Sequence, residues 1–564
     1  MESIFKARPF KTRNADEYEL SQILGLFVSP LSGLITPFDY ENNIIKGKMG
    51  SGKTMYLRAN FAFYLYQLVP NIIDDRELIL PVLIRLSDFQ HFKEPSEIYK
   101  NIIIKIIEEL SAIYLRLQEV NTFSKIHLGF KALPDALFSN YNFSKTLIQL
   151  RKLGADEYIE KVSQELGLNG GVKPQFFDVS ANFSQKKVVE LKQKINPGMG
   201  DVEEAYKTLL ANKKGKILLL IDEAGSLDRS FFKGKSNDSF FEILMNQFRT
   251  AEFIRTKIAI YPNSFQDILT ETRYGDTIRL EEDIMEDSGY KSYRNKVYEI
   301  IFNYINPKGD ENIYPEQLFQ ISTKQEIYGD CLEQLINASN GNNRRLIQLL
   351  DQTMETAFLD HGGKNKITKD HVEITLKNHS LASESLYSEI DRTWLNNVTQ
   401  ACKSRSTYKF RFPNMSSAMN KYTSKSQEHN LLNIVEFGTG QRGTTYAFDY
   451  SFCVAHDIPT HYVVGSEKIN RDRTLLHGRW ATRVAHVSEE IIQQASIATK
   501  IEGAIDYYKD ASGLILGDNS ETFFFRDSYV ISEDKNKPII QGRRVRFIPY
   551  KWGETTIAQA VELL

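Results

Sequence analysis

The sequence predicts a multidomain protein: an α/β core with a parallel sheet, a helical segment after it, a module of helices and a hairpin, and a small all-β barrel. Three observations carry this. A glycine-rich loop stands between a short apolar run and a helix near residue 50; a continuous apolar run near residue 220 ends in two carboxylates; and residues 501–564 break into short β-branched and aromatic runs separated by turn residues. At 564 residues the chain has room for roughly three or four domains of about 150 residues.

Composition narrows the class. Hydrophobic residues make up 41% and charged residues 25% of the chain, which excludes wholesale disorder. The formal charge of −2 excludes a protein-wide basic field, so any nucleic-acid contact has to come from local patches. Cys331, Cys402 and Cys453 are far apart and form no C-x-x-C spacing, so a disulfide framework or cysteine-rich zinc site has nothing to build on, and a reducing cytoplasm fits. The stretch MESIFKARPFKTRNADEYELS alternates charge without an apolar region, and no uninterrupted apolar run nears the ~20 residues needed to cross a bilayer. The expectation is a cytoplasmic protein with no membrane association.

The core is read from its first strand onward. Gly47-Lys48-Met49-Gly50-Ser51-Gly52-Lys53-Thr54 satisfies G-x-x-x-x-G-K-[ST] at every fixed position. Ile44-Ile45 closes a strand before it, and Met55, Leu57, Phe61 and Leu65 recur after it with helical spacing. Glycines let backbone N–H groups fold around phosphate oxygens, and a helix N-terminus adds partial positive charge. Lys53 is then placed to reach the β- and γ-phosphates of ATP, and the Thr54 hydroxyl to ligate Mg²⁺. A chance glycine turn before a helix is the bland alternative, and a second motif weighs against it.

That motif is KGKILLLIDEAGSLDRS. Ile217 to Ile221 suits a strand buried on both faces of a parallel sheet, and Asp222-Glu223 emerge at its C-terminal end, where open α/β sheets place their chemistry. Asp222 is the candidate to hold Mg²⁺, and Glu223 the candidate general base for an attacking water. Alone, such an acidic pair serves equally well as a helix cap. A third strand from Lys257 to Tyr261 ends in Pro262-Asn263-Ser264, where Asn263 either monitors the γ-phosphate and its water or caps the helix from Phe265.

Further on, LINASNGNNRRLIQLLDQTM puts Gly341-Asn342-Asn343-Arg344 at the head of an amphipathic helix. Together with GKMGSGKT, LLLIDEAG and IAIYPNS, this order resembles an AAA+ ATPase, most of all the origin-recognition-type initiator branch, over residues 15–380. The resemblance implies a P-loop core (1–290) followed by a helical lid (291–384). It also implies a G-x-x-R arginine on the γ-phosphate, a role that falls on Arg344, with Arg345 second; a solvated basic helix start is the other reading. The long stretch before the acidic strand implies an insertion at about 123–200 for a protein partner, a feature shared with the STAND signalling ATPases. Arg255 and Arg273 are the arginine-finger candidates, and hydrolysis is expected to be slow or ligand-stimulated.

GTGQRG at 438–443 spells G-x-G-x-x-G, yet TTYAFDYSF follows it without a helical start, so LLNIVEF and TTYAFDY read as a β-hairpin turning on those glycines. With EIDRTWLNNVTQACKS and NMSSAMNKYTSK as preceding helices, residues 385–470 resemble a winged-helix domain. The resemblance implies DNA contact, with Gln441 and Arg442 at the wing tip on phosphate and Lys421 or Lys425 along the duplex. Winged helices also dock proteins. Residues 401–500 hold 13 Lys and Arg against 8 Asp and Glu, and 471–500 reads as a basic linker.

In residues 501–564, the runs GAIDYY, GLILG, ETFFFRDS, RRVRFIPY and TIAQAVEL suit a five-stranded barrel and resemble the cold-shock version of the OB fold. That resemblance implies bases stacking on Tyr507 or Phe524, with Arg526 on the same face of its strand, although Leu514 and Leu516 stand where the family carries aromatics. A protein-docking or structural barrel is an equal alternative. The whole implies an ATP-binding and hydrolysing AAA+ switch that associates with DNA through its C-terminal modules, with ATP and Mg²⁺ as cofactors and ATP-dependent homo-oligomers. The alternative is a STAND-like signalling or anti-phage defence ATPase that assembles with protein partners.

Overall fold

The computed structural model describes residues 2–113 (except 31–35, 74–75 and 112), 198–307 (except 211–213, 225–239, 262–274 and 285–286), 313–413 (except 322–330), 419–460 (except 424–429 and 439–442), 484–492 (except 489–490) and 500–564 (except 532–533, 535–536 and 553–554). Nearly all of the expected insertion, most of the basic linker, and Asn263, Arg273, Lys425, Gln441 and Arg442 lie outside the described residues. The chain divides into two compact units, Met1–Thr323 with Asp330–Thr368, and Lys369–Leu564.

The first unit is built on a five-stranded parallel sheet, β1 (Asn43–Lys46), β2 (Leu78–Arg85), β3 (Gly215–Asp222), β4 (Ile254–Ile260) and β5 (Asp276–Arg279), in the order β2-β3-β4-β1-β5. Parallel strands need crossovers that cover both faces, which is why Ile217 to Ile221 are buried without alternation. The crossovers include α3 (Lys53–Ile73), α4 (Pro95–Ser111), α5 (Met199–Leu210) and α6 (Phe240–Thr250), after two short helices, α1 (Glu2–Ala7) and α2 (Leu20–Leu26). α3 is buried on all sides from Tyr56 to Leu68 rather than on one stripe, with Phe38 stacked on Phe63 at 4.5 Å. Inside β4, Lys257 is fully buried; its amine is held by the Asp39 carboxylate and Asn43 Oδ1.

Because the strands share one direction, β1, β3 and β4 all end at one sheet edge, and β4 separates the first two. Residues just past β4 therefore stand between the glycine loop and the carboxylate pair. The helices α7 (Asp287–Ile305), α8 (Cys331–Ser339) and α9 (Asn343–His361) complete this unit; α9 ends on Gly362, whose φ of 62° lets its N–H close back on Phe358 O at 2.8 Å. The N-terminal segment ties these helices to the sheet layer. Phe5 stacks on Phe358 of α9 at 6.4 Å and Phe10 on Tyr304 of α7 at 5.8 Å, and Arg8 grips Asp351 of α9 at 2.9 Å. A few residues on, Arg58 of α3 donates to the carbonyls of Ala15 and Tyr18.

In the second unit, α10 (Lys369–Glu384) and α11 (Glu389–Ser404) precede a four-stranded sheet of β6 (Lys409–Phe412), β7 (Leu432–Glu436), β8 (Thr444–Phe448) and β9 (Ala485–His486), ordered β7-β8-β6-β9, with α12 (Tyr450–Ala455) after β8. β7 and β8, which flank the GTGQRG stretch in sequence, pair antiparallel, from Leu432 opposite Phe448. Of NMSSAMNKYTSK the described residues are 419–423, where Asn420–Thr423 form a helical turn; the rest of this expected helix lies outside the described residues. Trp394, Phe410, Phe412, Tyr422 and Phe448 fill the core. The last strands, β10 (Ile501–Lys509), β11 (Ser512–Gly517), β12 (Thr522–Arg526), β13 (Arg544–Trp552) and β14 (Thr555–Leu563), form a closed barrel in the order β10-β11-β12-β14-β13, with β12 and β14 parallel. Ile505, Ile515, Phe523, Phe525, Val545 and Phe547 point inward. No helix among the described residues is long and apolar enough to cross a membrane.

Candidate functional site

A loop that binds an anion through its N–H groups must send its carbonyls elsewhere, and here every carbonyl from Gly47 to Gly52 has a destination. Lys53 Nζ donates to Gly47 O at 2.7 Å and Lys48 O at 2.8 Å. The head of α9 takes the next three: Asn342 Nδ2 donates to Met49 O (2.8 Å), the Arg344 N–H to Gly50 O (3.2 Å) and Asn343 Nδ2 to Ser51 O (3.2 Å). Gly52 O accepts from Tyr56 N–H inside α3 at 2.9 Å. Gly50 and Gly52 hold φ values of 80° and 98°, a region that side-chain-bearing residues rarely adopt. The N–H groups of the first turn of α3 have no partner within the helix and open toward the same place.

Lys53 is only 8% exposed. Burial pulls its amine down to about 8, against the opposing pull of the Asp222 and Glu281 carboxylates, and the nearby Arg344 charge lowers it further. The Tyr261 ring, just past β4, lies 4.2 Å from the same amine. Asp222 is 3% exposed, and burial pushes its carboxyl up while hydrogen bonds from the Thr54 hydroxyl and the Glu223 N–H (2.8 Å) hold it back. Glu223 itself has φ 55°, a left-handed conformation costly for a residue with a side chain. Backbone strain beside a buried carboxylate is the kind of feature that clusters at functional sites.

One cleft collects Lys53, Thr54, Asp222, Glu223, Tyr261 and Arg344. Two shielded polar atoms beside it, Ser51 Oγ and Asn343 Oδ1, have no hydrogen-bond partner among the described residues, the condition of groups that a polar ligand or water satisfies. The residues fit a nucleotide and a hard cation: backbone N–H groups and two cationic side chains for phosphate, and a hydroxyl touching a carboxylate as the oxygen donors Mg²⁺ takes, waters completing the set. Mg²⁺ held by the Thr54 hydroxyl and the Asp222 carboxylate would supply positive charge beside bound phosphate.

Of the expected site residues, the loop Gly47–Thr54, Asp222, Glu223 and Arg344 are brought together. Arg255 stands near the start of β4, at the sheet edge away from the loop, donating to Ile254 O at 2.9 Å. In the second unit, Tyr507, Leu514 and Phe524 are opposite one another across β10, β11 and β12, forming a row on the barrel's outside. Tyr507 is 52% exposed, and the Arg526 guanidinium lies 5.7 Å from the Phe524 ring. Lys421 is occupied within the protein, bound to Asp391 and 5.0 Å over the Tyr422 ring. Sequence reasoning passed over Tyr261, Asn342 and Asn343. Tyr261 could have been found as the first residue beyond a strand lying between the two motifs, and Asn342 as a favoured helix cap, which it is: Oδ1 accepts the Arg345 N–H at 3.0 Å.

No family model matches the chain, and no curated protein does. Among solved structures, that of the Aeropyrum pernix ORC2 protein in ADPNP and ADP complexes is similar, with a TM-score of 0.33 and 10% identity over 79% of this chain and 94% of that one.

Proposed function

We propose that the chain is an ATP-binding and ATP-hydrolysing switch of the AAA+ type, which associates with DNA through its C-terminal modules. The observation that carries this is the single cleft in which a carbonyl-outward glycine loop meets Lys53, the Thr54–Asp222 pair, Glu223 and Arg344. Lys53 and the loop N–H groups bind the phosphates, Thr54 and Asp222 hold Mg²⁺, Glu223 takes the proton of the attacking water, and Arg344 senses the third phosphate. Asn263 is proposed as the residue that orients that water. Residues 1–290 act as core, 291–384 as lid, 385–470 as winged helix and 501–564 as an OB-like module, and the working form is a homo-oligomer.

DNA association is supported by the outer barrel face of Tyr507, Phe524 and Arg526, a ring surface with a stacked cation suited to unpaired bases. Gln441 and Arg442, between β7 and β8 in sequence, are proposed to meet phosphate. The deciding experiment is equilibrium binding of a fluorescent ATP analogue to the intact chain and to Lys53→Ala. The substitution is expected to weaken binding by about a hundredfold or more, since it removes a charge-assisted contact and leaves phosphate charge unpaired. Equal affinity in both proteins overturns the reading.

A further inference from the structure

The three hydrogen bonds from the head of α9 to consecutive loop carbonyls go beyond what a lid arginine requires. Asn342 Nδ2 reaches Met49 O at 2.8 Å, the Arg344 N–H reaches Gly50 O at 3.2 Å, and Asn343 Nδ2 reaches Ser51 O at 3.2 Å. Asn342 works at both ends, since its Oδ1 caps the helix through the Arg345 N–H. The fit is close: a Cβ on Gly50 would stand 2.3 Å from Asn342 Oδ1.

A glycine-rich loop is free to rotate its peptide units, and each rotation that brings a carbonyl inward turns an attractive dipole into a repulsive one for an anion. Holding the carbonyls outward before the anion arrives removes an ordering cost from binding. We infer that Asn342 and Asn343 are positioning residues that pre-organise the phosphate loop, so that docking of α9 sets the affinity for the diphosphate common to ADP and ATP. This rests on the nucleotide reading above and deepens it. The clasp is separate from the Arg344 side chain, to which the proposed function gives the third phosphate. Reciprocity follows from linkage: ADP, by fixing the loop, tightens the seating of α9.

The test is ADP and ATP binding by the full-length chain in which Asn342→Ser and Asn343→Ser are combined. Serine keeps an oxygen to cap α9 and removes both amide donors. Loss of the clasp is expected to weaken ADP and ATP equally, by about tenfold, the scale of one to two modest hydrogen bonds. Arg344→Ala, by contrast, is expected to weaken ATP while leaving ADP unchanged. A role confined to lid packing would lower the nucleotide-free melting midpoint without the equal ADP and ATP loss. If the double variant fails to fold, Asn343→Ala alone makes the same comparison, with about a threefold equal loss expected for one bond. ADP affinity unchanged in these variants while Lys53→Ala loses it overturns the clasp and leaves the nucleotide reading standing. ADP affinity unchanged in Lys53→Ala overturns both.

Discussion

Charged side chains in the loop cleft and on the flank of the barrel are treated in opposite ways. In the cleft, burial drives both Lys53 and Asp222 toward their neutral forms, and the partners present only partly resist it. On the barrel, Arg544 binds Asp518 through two bonds of 2.7 Å and Glu502 at 3.2 Å, and Arg546 binds Glu502 at 2.8 Å, all at the surface. There, hydrogen bonds from the arginines hold Glu502 and Asp518 below the usual carboxylate range. Buried and incompletely paired charge is costly until a complementary ion arrives, whereas exposed and fully paired charge asks for nothing. The first has the character of a candidate site; the second is a surface.

That contrast breaks most visibly at Glu223. Glu223→Gln is expected to slow phosphate release in single-turnover assays by about a hundredfold or more while ATP binding persists, because a positioned base is removed without a change of shape. Unchanged turnover would return Glu223 to the rank of a helix cap. A smaller effect sharpens the comparison within the barrel: Phe524→Ala should weaken binding of a single-stranded oligonucleotide to the intact chain by about tenfold, the scale of one lost stacking contact. Equal affinity would mark the aromatic face as structural, like the arginine flank beside it. Smallest of all, Arg544→Ala is expected to shift the melting midpoint by less than ~2 °C in calorimetry, since an exposed pair contributes little.

The features legible in the sequence are those written in local patterns. The loop motif, the buried run ending at Asp222, the helix over EIDRTWLNNVTQACKS and the five barrel runs all depend on residues within a few positions of one another, and the structure forms each of these elements. The remainder depends on distant partners. Asn342 meets Met49 across 293 positions, and nothing local marks its amide for that carbonyl. Lys257 sits in a run that reads as an apolar strand, and the folded positions of Asp39 and Asn43 make its burial tolerable. Lys421 reads as a free cation beside a wing until Asp391, on another helix, claims it. Glu223 stands out in the sequence for its carboxylate, but its left-handed backbone has no signature in the residue type.

The N-terminal segment sets a geometric limit on how far α7 can move from α3. Phe10 is moored to α7, and Ala15 to α3 through Arg58. While both moorings hold, the stretch between them works as a leash, and a fully extended chain of that length spans about 18 Å at most. Any separation of α7 from α3 larger than that slack must first peel an aromatic ring or a guanidinium from its seat, so residues as far in sequence from α7 as Phe10 and Arg58 bear on how far the two helices can part.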